Sequence, residues 1–424
     1  MTRNRVREFF VLALSAVLVL TVGCGSASST SSSTTTPPPT GTNVQAISVN
    51  TGPAAADGDP YPNGAFTSVS VCVPGSTTQC QTIPGILIDT GSSGLRIQSS
   101  ALTGLSLPQQ VDSSNNAIVE CGEFGSGFTW GPVQTVDLTI SGEKASSVPI
   151  QVVGSANYPD TDPGGASTCS DGEAGTGADL NTLDHMGANG ILGVGTSVQD
   201  CGASCTLAGP SNPGFYYSCA TASTCAVTTE ALSSQVLNPV VMFPTDNNGV
   251  IIELPGVASN TAVTSVNGYL IFGIGTETNN ALGSATIYGV DPTTGNFTTV
   301  FEGETLTDAS FLDSGSEVLF FDPATTALQQ IECTLSGIVF YCPNPTVNLT
   351  ATNEGINGTS GAINFTVGDP NSLLSNSSNG AINGLAVPLS GYFDWGMPFF
   401  FGRSVYTAID GQTTPAGAGP YWAY

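Results

Sequence analysis

An all-β fold in two lobes follows from three features of this 424-residue chain. The body is rich in Gly, Ser, Thr and Val and poor in strong helix formers. Its apolar residues alternate with polar ones over short runs that end in turn residues. Two runs also echo each other more than two hundred residues apart: Ile86-Leu87-Ile88-Asp89-Thr90-Gly91-Ser92-Ser93-Gly94 and Phe311-Leu312-Asp313-Ser314-Gly315-Ser316. Each delivers an aspartate from an apolar strand into a turn of hydroxyl residue, glycine and hydroxyl residue. A body of about 380 residues is too large for one core, so the echo reads as one loop from each lobe.

Along the chain, Arg3, Arg5 and Arg7 precede an apolar stretch from Phe9 to Val22 and then Gly23-Cys24. Residues 1–24 therefore read as an export signal, too short for a membrane-spanning helix. Leu20-Thr21-Val22-Gly23-Cys24 resembles a bacterial lipobox, which implies lipidation at Cys24; the alternative is an ordinary cleaved signal with an incidental cysteine. Lipid at Cys24 would be the only membrane attachment, placing the protein at the bacterial envelope, with an outer leaflet preferred because Gly25 follows. Residues 25–44, nearly all Ser, Thr, Pro and Gly, form a tether. Strands are expected over Val133–Ile140, Val148–Val153, Tyr269–Phe272, Ser316–Phe321 and Ser404–Ile409, and helices over Thr228–Leu237 and Pro323–Cys333. The lobes are assigned to 45–280 and 281–424.

Eleven cysteines are present, and setting Cys24 aside leaves an even ten. In an exported chain that number implies disulfides. Cys72–Cys80 and Cys333–Cys342 are close pairs, the 201–225 cluster makes two more, and Cys121 is left with Cys169. A zinc site competes weakly, since the spacings are irregular and the one histidine is His185. The same scarcity removes most Ser–His and Cys–His mechanisms, and His185 reads as a surface residue. No metal or cofactor is expected. Asp160-Thr161-Asp162-Pro163-Gly164-Gly165 with Asp171 faintly matches a calcium loop but lacks its third acidic ligand and its terminal Glu; a disulfide-pinned acidic loop is the plainer reading.

Without the signal, three basic residues (Arg96, Lys144, Arg403) face thirty-one acidic ones, a net charge of −28. That charge disfavours nucleic acid or anionic lipid as partners. Self-repulsion relaxes as carboxylates protonate, so the fold is expected to survive acid and weaken toward alkaline pH.

Two aspartates brought together from separate lobes would share a proton, because two adjacent negative charges are not both tolerated. Such a dyad performs acid–base chemistry on water. Further segments extend the pattern: Phe124-Gly125-Ser126-Gly127 before the strand from Val133, Asn189-Gly190-Ile191-Leu192-Gly193-Val194-Gly195, Gly268-Tyr269-Leu270-Ile271-Phe272-Gly273, and Trp395-Gly396-Met397-Pro398 running on to Asp410. In order and rough spacing, these six segments across residues 60–420 resemble the pepsin-like aspartic peptidases, whose fold is a double β-barrel with the active-site cleft between its lobes.

The resemblance implies that Asp89 and Asp313 hold the attacking water, one as base and one as acid. Ser92 and Ser316 would bond the outer carboxylate oxygens, Thr90 and Ser314 would bond across the lobe interface, and Gly91 and Gly315 would let the loops approach. Phe124, Gly125, Ser126 and Gly127 would form a flap over an extended polypeptide. The sequence departs from the family at three places. Phe124 replaces the usual flap tyrosine, Arg96 stands where its tryptophan partner is usual, and Glu317 replaces a small or hydroxyl residue. Arg96 lies either beside the dyad or paired with an acidic residue elsewhere. Residues 25–60 carry no Lys or Arg, so no basic pro-segment is visible. The expected function is a monomeric acid-type endopeptidase cutting unfolded chains at bulky apolar residues. The alternatives are a pepsin-fold binding protein with little turnover, and a surface adhesin whose Asp-Ser/Thr-Gly runs are only turns.

Overall fold

A computed structural model of the chain describes residues 39–53, 61–159, 169, 178–322, 328, 331–335 and 337–424. Strands account for 47% of the structure and helix for 9%, which settles the class as all-β. The signal, Cys24, most of the tether, the Asp160–Gly165 run and Asp171 lie outside the described residues.

Six strands close into a barrel in the first half. Gly64–Cys72, Cys80–Asp89, Gly190–Val194, Ser93–Gln98, Glu143–Val153 and Gly127–Ile140 pair in that order, and Gly127–Ile140 returns to Gly64–Cys72 through Val71 opposite Leu138. Its inward residues are aliphatic: Ile83, Ile86, Ile88, Leu95, Ile97, Val136 and Leu138 are all buried. Alternation of such residues with polar ones is what makes each run a half-buried strand. The second half carries an open seven-stranded sheet, ordered Ser360–Val367, Val347–Glu354, Phe297–Phe301, Glu304–Leu312, Phe393–Trp395, Leu319–Phe321, Ala386–Pro388. Aromatic rings fill it: Phe393 stacks on Trp395 at 4.2 Å and on Phe321 at 5.1 Å.

A run of antiparallel strands joins the halves: Val44–Asn50, Val266–Phe272, Gly249–Glu253, Ser404–Ala408, Tyr421–Ala423 and Ile287–Gly289. Three of these precede residue 280 and three follow it, so the two halves share a sheet. The end of the expected tether belongs to the fold as well. Gly142 N donates to Thr42 O at 2.7 Å, and buried Asn43 donates to Phe272 O at 2.9 Å.

All ten cysteines from Cys72 onward form disulfides: 72–80, 121–169, 201–205, 219–225 and 333–342. Three of these pairs are the ones expected, the 201–225 cluster makes its expected two bridges as 201–205 and 219–225, and these ten are left no thiolates for zinc. His185 is exposed, as expected. No described helix is long and apolar enough to cross a membrane.

Two helix expectations need correction. Thr228–Leu237 is irregular chain after the Thr224–Val227 strand, then a turn over 232–234 and an isolated bridge from Leu237 to Gln199. Thr228, Thr229 and Val236 are β-branched, and Pro239 follows closely, so the segment instead bonds outward, as in Thr228 N to Tyr216 O at 2.8 Å. Of Pro323–Cys333, most lies outside the described residues, and Glu332–Cys333 begin a hairpin strand, Glu332–Leu335. The strand expected over Ser316–Phe321 is confined to Leu319–Phe321, because Ser316 still belongs to the aspartate turn.

Candidate active site

Both aspartates sit at the ends of apolar strands that run parallel to a partner. Cys80–Asp89 pairs with Gly190–Val194, Leu87 facing Ile191 and Asp89 facing Gly193. Glu304–Leu312 pairs with Phe393–Trp395, Phe311 facing Asp394 and Leu312 facing Trp395. The strands hold the loop ends, and the loops then turn toward each other.

The carboxylates converge. A Cβ placed on Gly315 would lie 2.7 Å from Asp89 Oδ1 and 3.1 Å from Asp313 Oδ1. One on Gly91 would lie 2.7 Å from Asp313 Cγ. Each glycine thus faces the opposite loop's carboxyl, and any side chain there would separate the pair. Gly91 N donates to Asp89 Oδ1 at 2.8 Å and Gly315 N to Asp313 Oδ1 at 2.7 Å. On the outer oxygens, Ser92 donates to Asp89 Oδ2, and Ser316 Oγ lies 2.8 Å from Asp313 Oδ2.

Beneath them the hydroxyls cross over. Thr90 Oγ1 donates to Leu312 O at 2.8 Å and accepts from Ser314 N at 2.9 Å. Ser314 Oγ donates to Ile88 O at 2.8 Å and accepts from Thr90 N at 3.1 Å. Both side chains are buried, so these four bonds hold the loops in register without competition from water. Burial, then the charge of Asp89 and hydrogen bonding with it, raise the Asp313 pKa well above the ordinary carboxylate range. Two carboxyls this close, with Asp313 so raised, favour a single proton held between them.

Phe124 and Gly127 close the hairpin between Ala117–Phe124 and Gly127–Ile140, leaving Gly125 and Ser126 exposed at its tip. Phe124 packs back against the apolar cluster that contains Phe66, Leu87 and Val153. The Arg96 guanidinium lies 5.4 Å from its ring centroid, so these two side chains meet each other. Arg96 is buried and paired away from the dyad, with Glu120 and, at 3.2 Å, with Asp200. Burial lowers its pKa, but the charges of Glu120 and Asp200 outweigh that and hold it raised. Asp200 is pushed well up, first by burial and then by Glu120.

A family model described as a protein of unknown function, DUF3443, matches residues 39–424. The chain belongs to the DUF3443 family. No curated protein matches it.

Sequence reasoning missed three contributors to the site of this DUF3443 member. Tyr61 donates its hydroxyl hydrogen to Gly315 O at 2.8 Å. Asn63 Nδ2 donates to Glu317 O at 2.6 Å and to Ile382 O at 2.9 Å, clamping the second loop from the first half of the chain. Neither residue carries a local pattern that marks it. Asp394 lies behind Asp313, its Oδ2 at 2.6 Å from Ser316 Oγ. The available signal was a lone acid among aromatics in Tyr392-Phe393-Asp394-Trp395.

Proposed function

We propose that this protein is a pepsin-like, two-lobed aspartic endopeptidase, exported and lipid-anchored through Cys24, that hydrolyses polypeptides with water activated between Asp89 and Asp313. The observation that carries the reading is the meeting of the two inner carboxylate oxygens, each held by a glycine N–H, over the Thr90–Ser314 crossing. In the resting state one proton is shared across the dyad. The ionised carboxyl takes a proton from water as its oxygen attacks the peptide carbonyl carbon, and the protonated one donates to the developing oxyanion. The dyad then gives its proton to the leaving nitrogen and takes one back from a hydroxyl of the tetrahedral intermediate as the C–N bond breaks, which returns the pair to one proton. The Gly125–Ser126 tip would close over an extended substrate and exclude water. Raised proton affinity at Asp313 favours acidic to neutral operation.

A second reading, a cleft that binds peptides with little turnover, is favoured by one observation. Phe124 brings no hydroxyl to the flap, and its ring is turned onto Arg96 and the barrel. The deciding experiment incubates the full-length chain, expressed with its leader, with denatured protein from about pH 3 to pH 7. Asp89→Asn and Asp313→Asn are each expected to lower cleavage by roughly 10²–10⁴-fold. Cleavage that persists in both variants, or none from the wild type at any pH, would favour the binder.

A further inference from the structure

Asp394 is the middle residue of the Phe393–Trp395 strand, opposite Phe311 on one side and Phe320 on the other. Its counterpart in the first half is Ile191, opposite Leu87, because Leu87 and Phe311 each stand two residues before their aspartate. The first loop is thus backed by an apolar side chain and the second by a carboxyl. That carboxyl is 5% exposed, and its Oδ1 has no hydrogen-bond partner among the described residues. The strand neighbours that face it are both phenylalanines. The charges that act on it are Asp313 and Asp89, both negative.

Counting hydrogens decides its state. Ser316 Oγ lies 2.6 Å from Asp394 Oδ2 and 2.8 Å from Asp313 Oδ2. A hydroxyl carries one hydrogen, so it donates to one of these carboxyls, and the other contact requires a proton from the acid itself. Asp313 accepts from Gly315 N on Oδ1, so with the serine hydrogen on Oδ2 both of its oxygens are paired and it can carry negative charge. Asp394 is buried with no second donor among the described residues, so a charge there would leave one oxygen unpaired.

We infer that Asp394 is a third, protonated carboxyl of the site, a positioning residue that donates to Ser316 and thereby commits the serine hydrogen to the outer oxygen of Asp313. With Oδ2 occupied as an acceptor, any proton that Asp313 binds sits on Oδ1, the oxygen facing Asp89. Burial first, then the charges of Asp313 and Asp89, raise the proton affinity of Asp394 well above that of an ordinary aspartate. When Asp394 finally ionises, its proton goes to solvent, Ser316 turns to donate to it, and Asp313 loses its outer donor. The alkaline limit of activity then depends on two protons, one on Asp394 and one shared by the dyad. This catalytic consequence rests on the peptidase reading; the placement of the proton does not.

Asp394→Asn tests both, since the amide donates to Ser316 at every pH and does not titrate. On the alkaline side, log kcat/KM is expected to fall with a slope approaching 2 in the wild type and 1 in the variant. Equal slopes overturn the coupling. Melting gives a readout that needs no turnover. A carboxyl whose pKa is raised in the fold stabilises it at low pH, and that contribution is lost as pH climbs from about 4 toward the folded value. The variant's Tm is therefore expected to gain roughly 2–4 °C on the wild type between about pH 4 and pH 7; a pH-independent difference overturns the inference. A gap that opens without cleavage at any pH upholds the proton on Asp394 and sinks the peptidase reading. If Asp394→Asn does not fold, Asp394→Leu replaces it: the infrared difference spectrum, wild type minus Asp394→Leu at about pH 6, is expected to show the band of one protonated buried carboxyl, and a carboxylate band in its place overturns the assignment.

Discussion

The two halves of the molecule present nearly the same aspartate loop and bury charge around it in different ways. In the first, Asp89 is backed by Ile191, and the buried acids lie one layer away as Glu120 and Asp200, facing Arg96. In the second, Asp394 stands behind the loop with only negative charges acting on it and with aromatic rings around it. One half sets a guanidinium against its internal carboxyls, and the other has only a proton to neutralise Asp394. A guanidinium stays charged at every working pH, so the first-half acids always have a cation beside them, whereas Asp394 has none. Identical turns therefore do not guarantee identical electrostatics; the strand packed behind each turn sets them.

The largest expected effect is at the guanidinium. Arg96→Met leaves two carboxylates buried together and is expected to cost about 3–5 kcal/mol in urea unfolding, much of it recovered when Glu120→Gln and Asp200→Asn are added. A loss below about 1 kcal/mol would mean that the cluster is already neutral, and the contrast between the halves would collapse. Next, Thr90→Val and Ser314→Ala should each cost about 2–4 kcal/mol, since each strands buried backbone partners in the opposite loop. Similar losses from the two variants would establish the crossing as reciprocal, and a large imbalance would show that one half carries it. Gly315→Ala and Gly91→Ala come third, at about 1–3 kcal/mol with loss of cleavage, because the new methyl meets the facing carboxyl. Retained activity in either variant would show that the loops can separate and still work.

The smallest effect concerns pH. Buried Glu143 is pushed up to about 6, first by burial and then by Asp246. Its stabilising contribution is present below the ordinary carboxylate range and is lost as pH rises through about 6. Glu143→Gln should melt with the wild type below about pH 4.5 and above it in temperature beyond about pH 6. Asp200, Asp313 and Asp394 shift in the same direction, so the wild type itself is expected to melt higher in acid than at pH 9. A midpoint that climbs steadily with pH contradicts this.

Much of the site was legible because its chemistry is local. Asp89-Thr90-Gly91-Ser92 and Asp313-Ser314-Gly315-Ser316 each place an inner donor, an outer donor and a crossing hydroxyl within four residues. The disulfides were legible for a similar reason, since four of the five span nine residues or fewer. Thr228–Leu237 misled because its periodicity favours a helix while its bonds run to Tyr216 and Gln199, well outside any helical window. The choice of partner for Arg96 was also beyond reach: Glu120 and Asp200 are 24 and 104 residues away, and nothing in the intervening chain marks them out among the other acids.

By itself, then, the amino-acid order determined the all-β class, the short-range disulfides Cys72–Cys80 and Cys333–Cys342 and the two turns that present the aspartates, because each is written in residues a few positions apart. The tertiary structure decided which side chains stand behind those turns. A parallel partner strand arrives from about 80 residues away at Phe393–Trp395, and its register, set by burying Phe393 and Trp395 among the aromatic rings, is what sends Asp394 toward Ser316.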